Sequence, residues 1–206
     1  MAKRPSRKQP SPLANLPESP RYVSRGGDKL RGALDTFGVS VEGKVCLDVG
    51  SSTGGFTDCL LQAGARSVWA VDVGYGLLDY KLRNDPRVHV LERTNFRNLD
   101  PSSLTERPRL ATVDVSFISL DKIFPKIMQV LAPGGEAVVL VKPQFEATPK
   151  EAPGGIVKDE KVRVRILNEM NRLATKIGFE VKGQADSALK GRKGNLEAFL
   201  NLVKPL

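Results

Sequence analysis

The sequence predicts an α/β fold, an open and mostly parallel sheet with helices on both faces. Three observations predict it. Seven short apolar runs rich in Val, Leu and Ile recur along the 206 residues, and near-continuous runs of this kind belong to strands buried on both faces. Segments with helical periodicity separate most of them. The joining stretches are short, which keeps consecutive elements adjacent in space.

Residues 1–20, with five prolines, four basic residues and no apolar periodicity, read as a disordered basic arm. In DKLRGALDTF (28–37), Leu30, Leu34 and Phe37 share one side of a short helix. KVCLDVG (44–50) reads as a strand, and GFTDCLLQAG (55–64) as a helix stopped by Gly64. SVWAVDVG (67–74) is a second strand, LLDYKLRN (77–84) a short helix and VHVLER (88–93) a third strand. LATVDVSF (110–117) is a fourth strand, and LDKIFPKIMQVL (120–131) a helix with Pro125 in its first turns. GEAVVLVK (135–142) is a fifth strand. A loop rich in Pro and Gly over 143–158 then leads into a long helix, 159–177. The strands GFEVKGQADS (178–187) and EAFLNLVK (197–204) close the chain. One domain, 21–206, uses everything beyond the arm.

Composition narrows the function classes. The 40% hydrophobic and 27% charged content is ordinary for a globular chain. Cys46 and Cys59 sit in apolar patterns and read as free thiols of a reducing compartment. No run approaches a membrane span, and the N-terminus has no apolar signal core, so a cytoplasmic location is expected. The formal net charge of +9 is concentrated at the ends: residues 1–31 hold eight Lys/Arg against two acids, and residues 182–206 hold five against two. A concentrated basic excess suits a polyanionic partner, although solubility alone also accounts for a basic surface.

In open α/β sheets ligands bind beyond the C-terminal strand ends. The first such end, LDVGSSTGGFTDCLL (47–61), is strand, glycine-rich turn and helix. Gly50, Gly54 and Gly55 free the backbone to turn and approach a ligand, and the helix N-terminus beyond suits a carboxylate or phosphate. Asp72 ends the next strand, placed to accept hydrogen bonds from ribose hydroxyls. A dinucleotide fingerprint would need glycine where Ser52 stands. The pattern D-x-G-x-x-x-G-G-F instead resembles the S-adenosylmethionine (SAM) loop of Rossmann-like methyltransferases. Asp48, Gly50, Ser51, Thr53, Gly54, Gly55, Phe56 and Asp72 are therefore the candidate cofactor residues. Asp48 can equally hold the loop, and Phe56 can equally pack its helix. Thr94 and Asn95 lie after the third strand, where an adenine edge would lie; a plain turn fits them as well.

Asp114 interrupts the fourth strand and Lys142 ends the fifth, and these strands should be neighbours. An unpaired acid or lysine there would be costly, so a rim salt bridge and a catalytic pair are both consistent. Lys29, behind two glycines in SRGGDKLRGAL, and Glu197, behind the basic turn of LKGRKGNLEAFL, complete a set of four. With YVSRGGDKL, VDVSFISL, VKPQFE and KGNLEAFL around it, this set resembles the TlyA family of FtsJ-like rRNA 2'-O-methyltransferases, also labelled hemolysins, from about Tyr22 to the C-terminus.

The resemblance implies a Rossmann-like class I methyltransferase fold with a seven-stranded sheet whose last strand is antiparallel. It implies SAM as cofactor and a catalytic tetrad of Lys29, Asp114, Lys142 and Glu197, with Lys142 as the base and the others orienting it and the ribose. A lysine of ordinary pKa, near 10, is nearly all protonated at neutral pH. Burial and a second cation favour its neutral form, while carboxylates favour the ammonium. Proton acceptor and stabiliser of a developing alkoxide thus both remain open for Lys142. The family usually begins with a small RNA-binding domain, in whose place this sequence has the basic arm. Lys3, Arg4, Arg21, Arg25, Lys190, Arg192 and Lys193 are the candidate RNA contacts, and RNA or ribosomal subunits the expected partners. A non-catalytic RNA-binding module and a methyltransferase of another substrate are the alternatives; a membrane-lytic role lacks an amphipathic or spanning segment.

Other residues are read as structural. His89, alone of its type, has no ligand cluster around it, so no metal is expected. Trp69 and Phe117 are expected in the core, Ser116 and Ser119 lack the setting of a nucleophile, and Tyr75 and Tyr80 are too few for a stacking platform.

Overall fold

The computed structural model describes residues 21–206; the predicted arm, with Lys3 and Arg4, lies outside the described residues. In chain order the helices are α1 (Arg25–Phe37), α2 (Gly55–Gln62), α3 (Tyr80–Arg83), α4 (Phe124–Val130), α5 (Pro143–Glu146) and α6 (Glu160–Ile177). The strands are β1 (Val45–Val49), β2 (Ser67–Val71), β3 (Val88–Leu91), β4 (Leu110–Val113), β5 (Glu136–Val141), β6 (Glu180–Asp186) and β7 (Ala198–Val203). They form one sheet in the order β3-β2-β1-β4-β5-β7-β6. Pairing is parallel from β3 to β5, and β7 runs antiparallel to both β5 and β6. This is the predicted Rossmann-like methyltransferase architecture.

Central strands β1 and β4 are buried at every residue, because helices cover both faces. Successive side chains point to opposite faces, so β1 feeds two cores. Leu47 and Val49 pack with Phe124, Ile127 and Ile166 under α4 and α6. Cys46 packs with Leu30, Leu34 and Leu60 under α1 and α2. Each fully buried leucine contributes roughly 1.5–3 kcal/mol, and together these cores fix the height of the strand ends that carry the site.

Several boundaries differ from expectation. Helix α1 starts at Arg25, not Asp28, because the Ser24 hydroxyl caps it by accepting from Gly26 N. Lys29 therefore sits one turn inside a helix. Strand β4 stops at Val113, and Phe117 lies in a turn at φ +61° with 89% of its surface exposed. It is not a core residue: the chain bends away before its ring can enter the sheet. Pro125 has no N–H to donate and belongs in a first turn, so the predicted helix 120–131 divides into a 3-10 turn, Leu120–Lys122, and α4. The predicted loop after β5 opens instead with α5, where Pro143 occupies the first helical position. Helix α3 is shorter than expected, beginning only after its cap Asp79.

Candidate active site

The ends of β1, β4 and β5, the start of β7 and the N-terminus of α1 surround a cleft of about 500 Å³. That lies within the range of about 300–1,000 Å³ typical of small-molecule sites. One wall is the glycine loop. Gly50 turns at φ +85°, and a Cβ there would lie 2.5 Å from the Asp114 carbonyl oxygen. Gly55 starts α2 so close to α1 that its Cβ would meet Ser24 Oγ at 2.2 Å. Gly55, standing against Gly26 and Gly27, thus brings two helix N-termini together, with Lys29 of α1 lining the cleft, while Gly54 packs on Leu78 and Leu82.

Of the candidate cofactor residues, Gly50, Ser51, Thr53, Gly55 and Phe56 line the cleft. Phe56 also packs against Phe199. Gly54 caps α2 from just behind the wall. Asp48, fully buried, lies beneath the loop and accepts from the hydroxyls of Thr57 at 2.7 Å and Thr112 at 3.2 Å. Burial pushes its carboxyl up to about 7, with the two hydroxyl bonds pulling the other way. Asp72 accepts from Ser52 N at 2.8 Å and Gly74 N at 2.7 Å, which ties the glycine loop to the end of β2. The Thr94 hydroxyl donates to the Glu92 carbonyl. Asn95 accepts from Arg97 N and caps the turn Phe96–Asn98. Asp48, Asp72, Thr94 and Asn95 are outside the wall of the cleft.

The opposite wall carries the four charged residues as two ion pairs. Lys29 Nζ lies 2.6 Å from Glu197 Oε2, and Lys142 Nζ lies 2.5 Å from Asp114 Oδ1. Only 2% of the Glu197 side chain is exposed, so its charge depends on these partners. Gly191 makes room for it: a Cβ there would stand 2.0 Å from Glu197 Oε1. Adjacent β4 and β5 bring Asp114 to Lys142, as expected from their order. The contact is electrostatic rather than a directed hydrogen bond, since Asp114 Oδ1 lacks a well-aligned donor. The directed bond from Lys142 Nζ goes to Ser116 Oγ at 3.0 Å.

Sequence reasoning missed four neighbours. Besides Ser116, Gln144 Nε2 donates to Glu197 Oε1 at 3.2 Å. The Phe145 ring lies 4.9 Å from that of Phe117. Glu146 accepts from Ser119 Oγ and Leu120 N; burial raises its pKa against these two bonds. Three of the four stand in VKPQFE itself, so the signal was their nearness to Lys142.

Among the candidate RNA contacts, Arg25 lines the cleft. Arg21 and Lys190 are exposed, with Arg21 over the Tyr22 ring. Lys193 donates to the Gly154 carbonyl, and Arg192 opens the turn Arg192–Gly194. His89 stacks on Trp69 at 4.3 Å, and no group of three or more His, Cys, Asp or Glu is placed for a metal among the described residues. Cys46 and Cys59 are buried free thiols. No helix among the described residues is long and apolar enough to cross a membrane.

A family model described as FtsJ-like methyltransferase matches residues 22–204. A Bacillus subtilis protein, YqxC, provisionally named an rRNA methyltransferase, is 52% identical over 188 residues, covering 90% of this chain and 66% of its own. The 16S/23S rRNA (cytidine-2'-O)-methyltransferase TlyA of Mycobacterium tuberculosis is 48% identical over 180 residues, covering 87% of this chain and 67% of its own. The chain thus spans about two thirds of the length of these curated relatives. A solved structure from Streptococcus thermophilus, provisionally named a hemolysin, superposes with a TM-score of 0.89 at 46% identity, covering 91% of this chain and 69% of that one.

Proposed function

The chain belongs to the FtsJ-like methyltransferase family, and on that premise we propose that it is a SAM-dependent RNA methyltransferase acting on a ribose 2'-hydroxyl of ribosomal RNA. The observation that carries this reading is the pairing of Lys29 with Glu197 and Lys142 with Asp114 across the cleft from a glycine loop. The names of the relatives support the substrate class.

The residues present fit SAM. Gly50 and Gly55 let the loop pack closely on the Asp114 backbone and Ser24, where side chains would collide, and with Ser51 and Thr53 they line the cleft. Helix α2 begins with a glycine cap that offers no side-chain acceptor, which leaves its positive end for a carboxylate. Asp72, held by two amides, keeps lone pairs for ribose hydroxyls. When bound, SAM supplies a methyl group on a sulfonium, whose departure as a thioether drives the transfer.

What the chain contributes is placement and charge. Lys142 Nζ, fixed between Asp114 and Ser116, meets the 2'-oxygen as the O–CH3 bond forms. It accepts the departing proton as an amine, or as an ammonium donates to the growing alkoxide while that proton passes to solvent. Lys29 and Glu197 hold the other side of the acceptor pocket. The exposed ring of Phe117, set against Phe145, gives the rim an apolar face for a base turned out of its stack. Arg25 in the cleft wall and the exposed Arg21 and Lys190 are the cations assigned to the RNA phosphates.

The test is incubation with methyl-labelled SAM and ribosomal subunits or total RNA. The expected product is one labelled nucleotide whose 3'-phosphodiester resists alkali, as a 2'-O-methyl group requires. Label in a base, or none in RNA, contradicts the assignment.

A further inference from the structure

The turn that follows β4 is strained. Phe117 holds φ +61°, a conformation that costs a bulky residue roughly 1–3 kcal/mol. The residue is 89% exposed, so burial does not offset the strain. Such a conformation persists only where its surroundings over-determine it.

Two anchors flank Phe117, and both come from the same short element. On one side Lys142, the cap residue of α5, donates to Ser116 Oγ at 3.0 Å. On the other side Glu146, the last residue of α5, uses both carboxylate oxygens. Oε2 accepts from Ser119 Oγ at 2.5 Å, and Oε1 accepts from Leu120 N at 2.9 Å. Glu146 forms no ion pair with a Lys or Arg among the described residues. A half-buried carboxylate without a cation is costly unless its oxygens are hydrogen-bonded, and here both bonds go to the strained turn.

We propose that Glu146 is a positioning residue: it clamps the Ser116–Leu120 turn onto α5 and so sets Asp114 and Ser116 against Lys142. The kinetic consequence rests on the methyl-transfer reading; the structural one does not. With the clamp removed, Phe117 is free to relax from its left-handed conformation, and Ser116 moves with it. Misplacement by about 1 Å can cost on the order of 100-fold in rate. The glycine loop at β1 receives no hydrogen bond from Glu146, whose two bonds go to Ser119 and Leu120.

Glutamine separates clamping from charge. Its carbonyl accepts from Leu120 N, and its amide donates to Ser119 Oγ, whose oxygen can accept. Alanine does neither. With ribosomal subunits as substrate, Glu146→Ala is expected to lower kcat by about 10- to 100-fold, while affinity for S-adenosylhomocysteine stays within about twofold. Glu146→Gln should recover most of the loss, and Ser119→Ala, which removes one bond of the two, should show a smaller loss. A readout independent of activity is amide hydrogen exchange at Leu120, faster in Glu146→Ala and Ser119→Ala than in wild type and near wild type in Glu146→Gln. Unchanged Leu120 exchange in Glu146→Ala overturns the proposal, as does a glutamine variant as damaged as the alanine one. Loss of cofactor affinity in step with kcat also counts against it, since that marks general unfolding. If wild type transfers no methyl group, the activity reading falls, and the Leu120 comparison still decides the clamp.

Discussion

On its β1 side the cleft wall is a glycine turn with short hydroxyl side chains and Phe56. Gly50 and Gly55 stand where any Cβ would collide, and the carboxylates nearby, Asp48 and Asp72, accept from Thr57, Thr112, Ser52 and Gly74 and so hold the loop in shape. On the β4–β5–β7 side the wall is made of long side chains. Lys29 reaches Glu197 across 168 residues of sequence, and Lys142 reaches Asp114 between neighbouring strands. One wall recognises by shape and the other acts by charge, so perturbing them should have separable effects. Cofactor affinity belongs to the first and turnover to the second.

The sharpest separation should come from Lys142→Ala. Removing the nitrogen that meets the 2'-oxygen is expected to lower the single-turnover rate by about 10²–10⁴-fold, with no more than about a threefold change in S-adenosylhomocysteine affinity by calorimetry. Next in size is Lys29→Ala, which leaves the buried Glu197 carboxylate with Gln144 as its donor. Stability should fall by on the order of 3 kcal/mol in urea denaturation. Lys29→Ala/Glu197→Gln should lose less than the sum of the single changes; additive losses would mean that the pair is not coupled.

On the other wall, Gly55→Ala drives a methyl group into Ser24 Oγ and pushes α1 off α2. Cofactor affinity should drop by roughly tenfold, the range of one misfitted contact of about 1.4 kcal/mol. An effect on stability rather than on binding concerns Asp48. Its folded-state pKa of about 7 lies above the value near 3.9 of an unfolded aspartate. The folded chain therefore holds this proton more tightly, and the stability so gained is complete below about pH 4 and lost as pH rises through about 7. The stability difference between Asp48→Asn and wild type should shift in favour of the variant between pH 5 and pH 8. A pH-independent difference would mean that Asp48 is ionised throughout.

The two walls also differed in how far the sequence revealed them. A glycine loop is local, so LDVGSSTGGF shows its nature within one stretch, and the alternation of strand and helix patterns was enough to give the fold class. Strand-end charges such as Asp114 and Lys142 stand out because an apolar run makes them anomalous. Their supports do not. Ser116, Gln144 and Glu146 are polar residues in turns, where polar residues are ordinary, and only the fold shows that they converge. Phe117 misled because apolar alternation marks what a strand prefers and not where it stops. Its left-handed turn is held from α5, outside any local window. Asn95 was ambiguous for a related reason: an amide near a cofactor site and an amide capping a turn look the same in sequence.

The separation of the two walls is tested most directly by titrating S-adenosylhomocysteine into wild type, Gly55→Ala and Lys142→Ala while measuring methyl transfer to ribosomal subunits with the same preparations. Lys142→Ala is expected to bind like wild type and transfer almost nothing, whereas Gly55→Ala should bind more weakly and, once saturated, keep a far larger share of the wild-type rate than Lys142→Ala does. Binding and transfer falling together in both variants would contradict it.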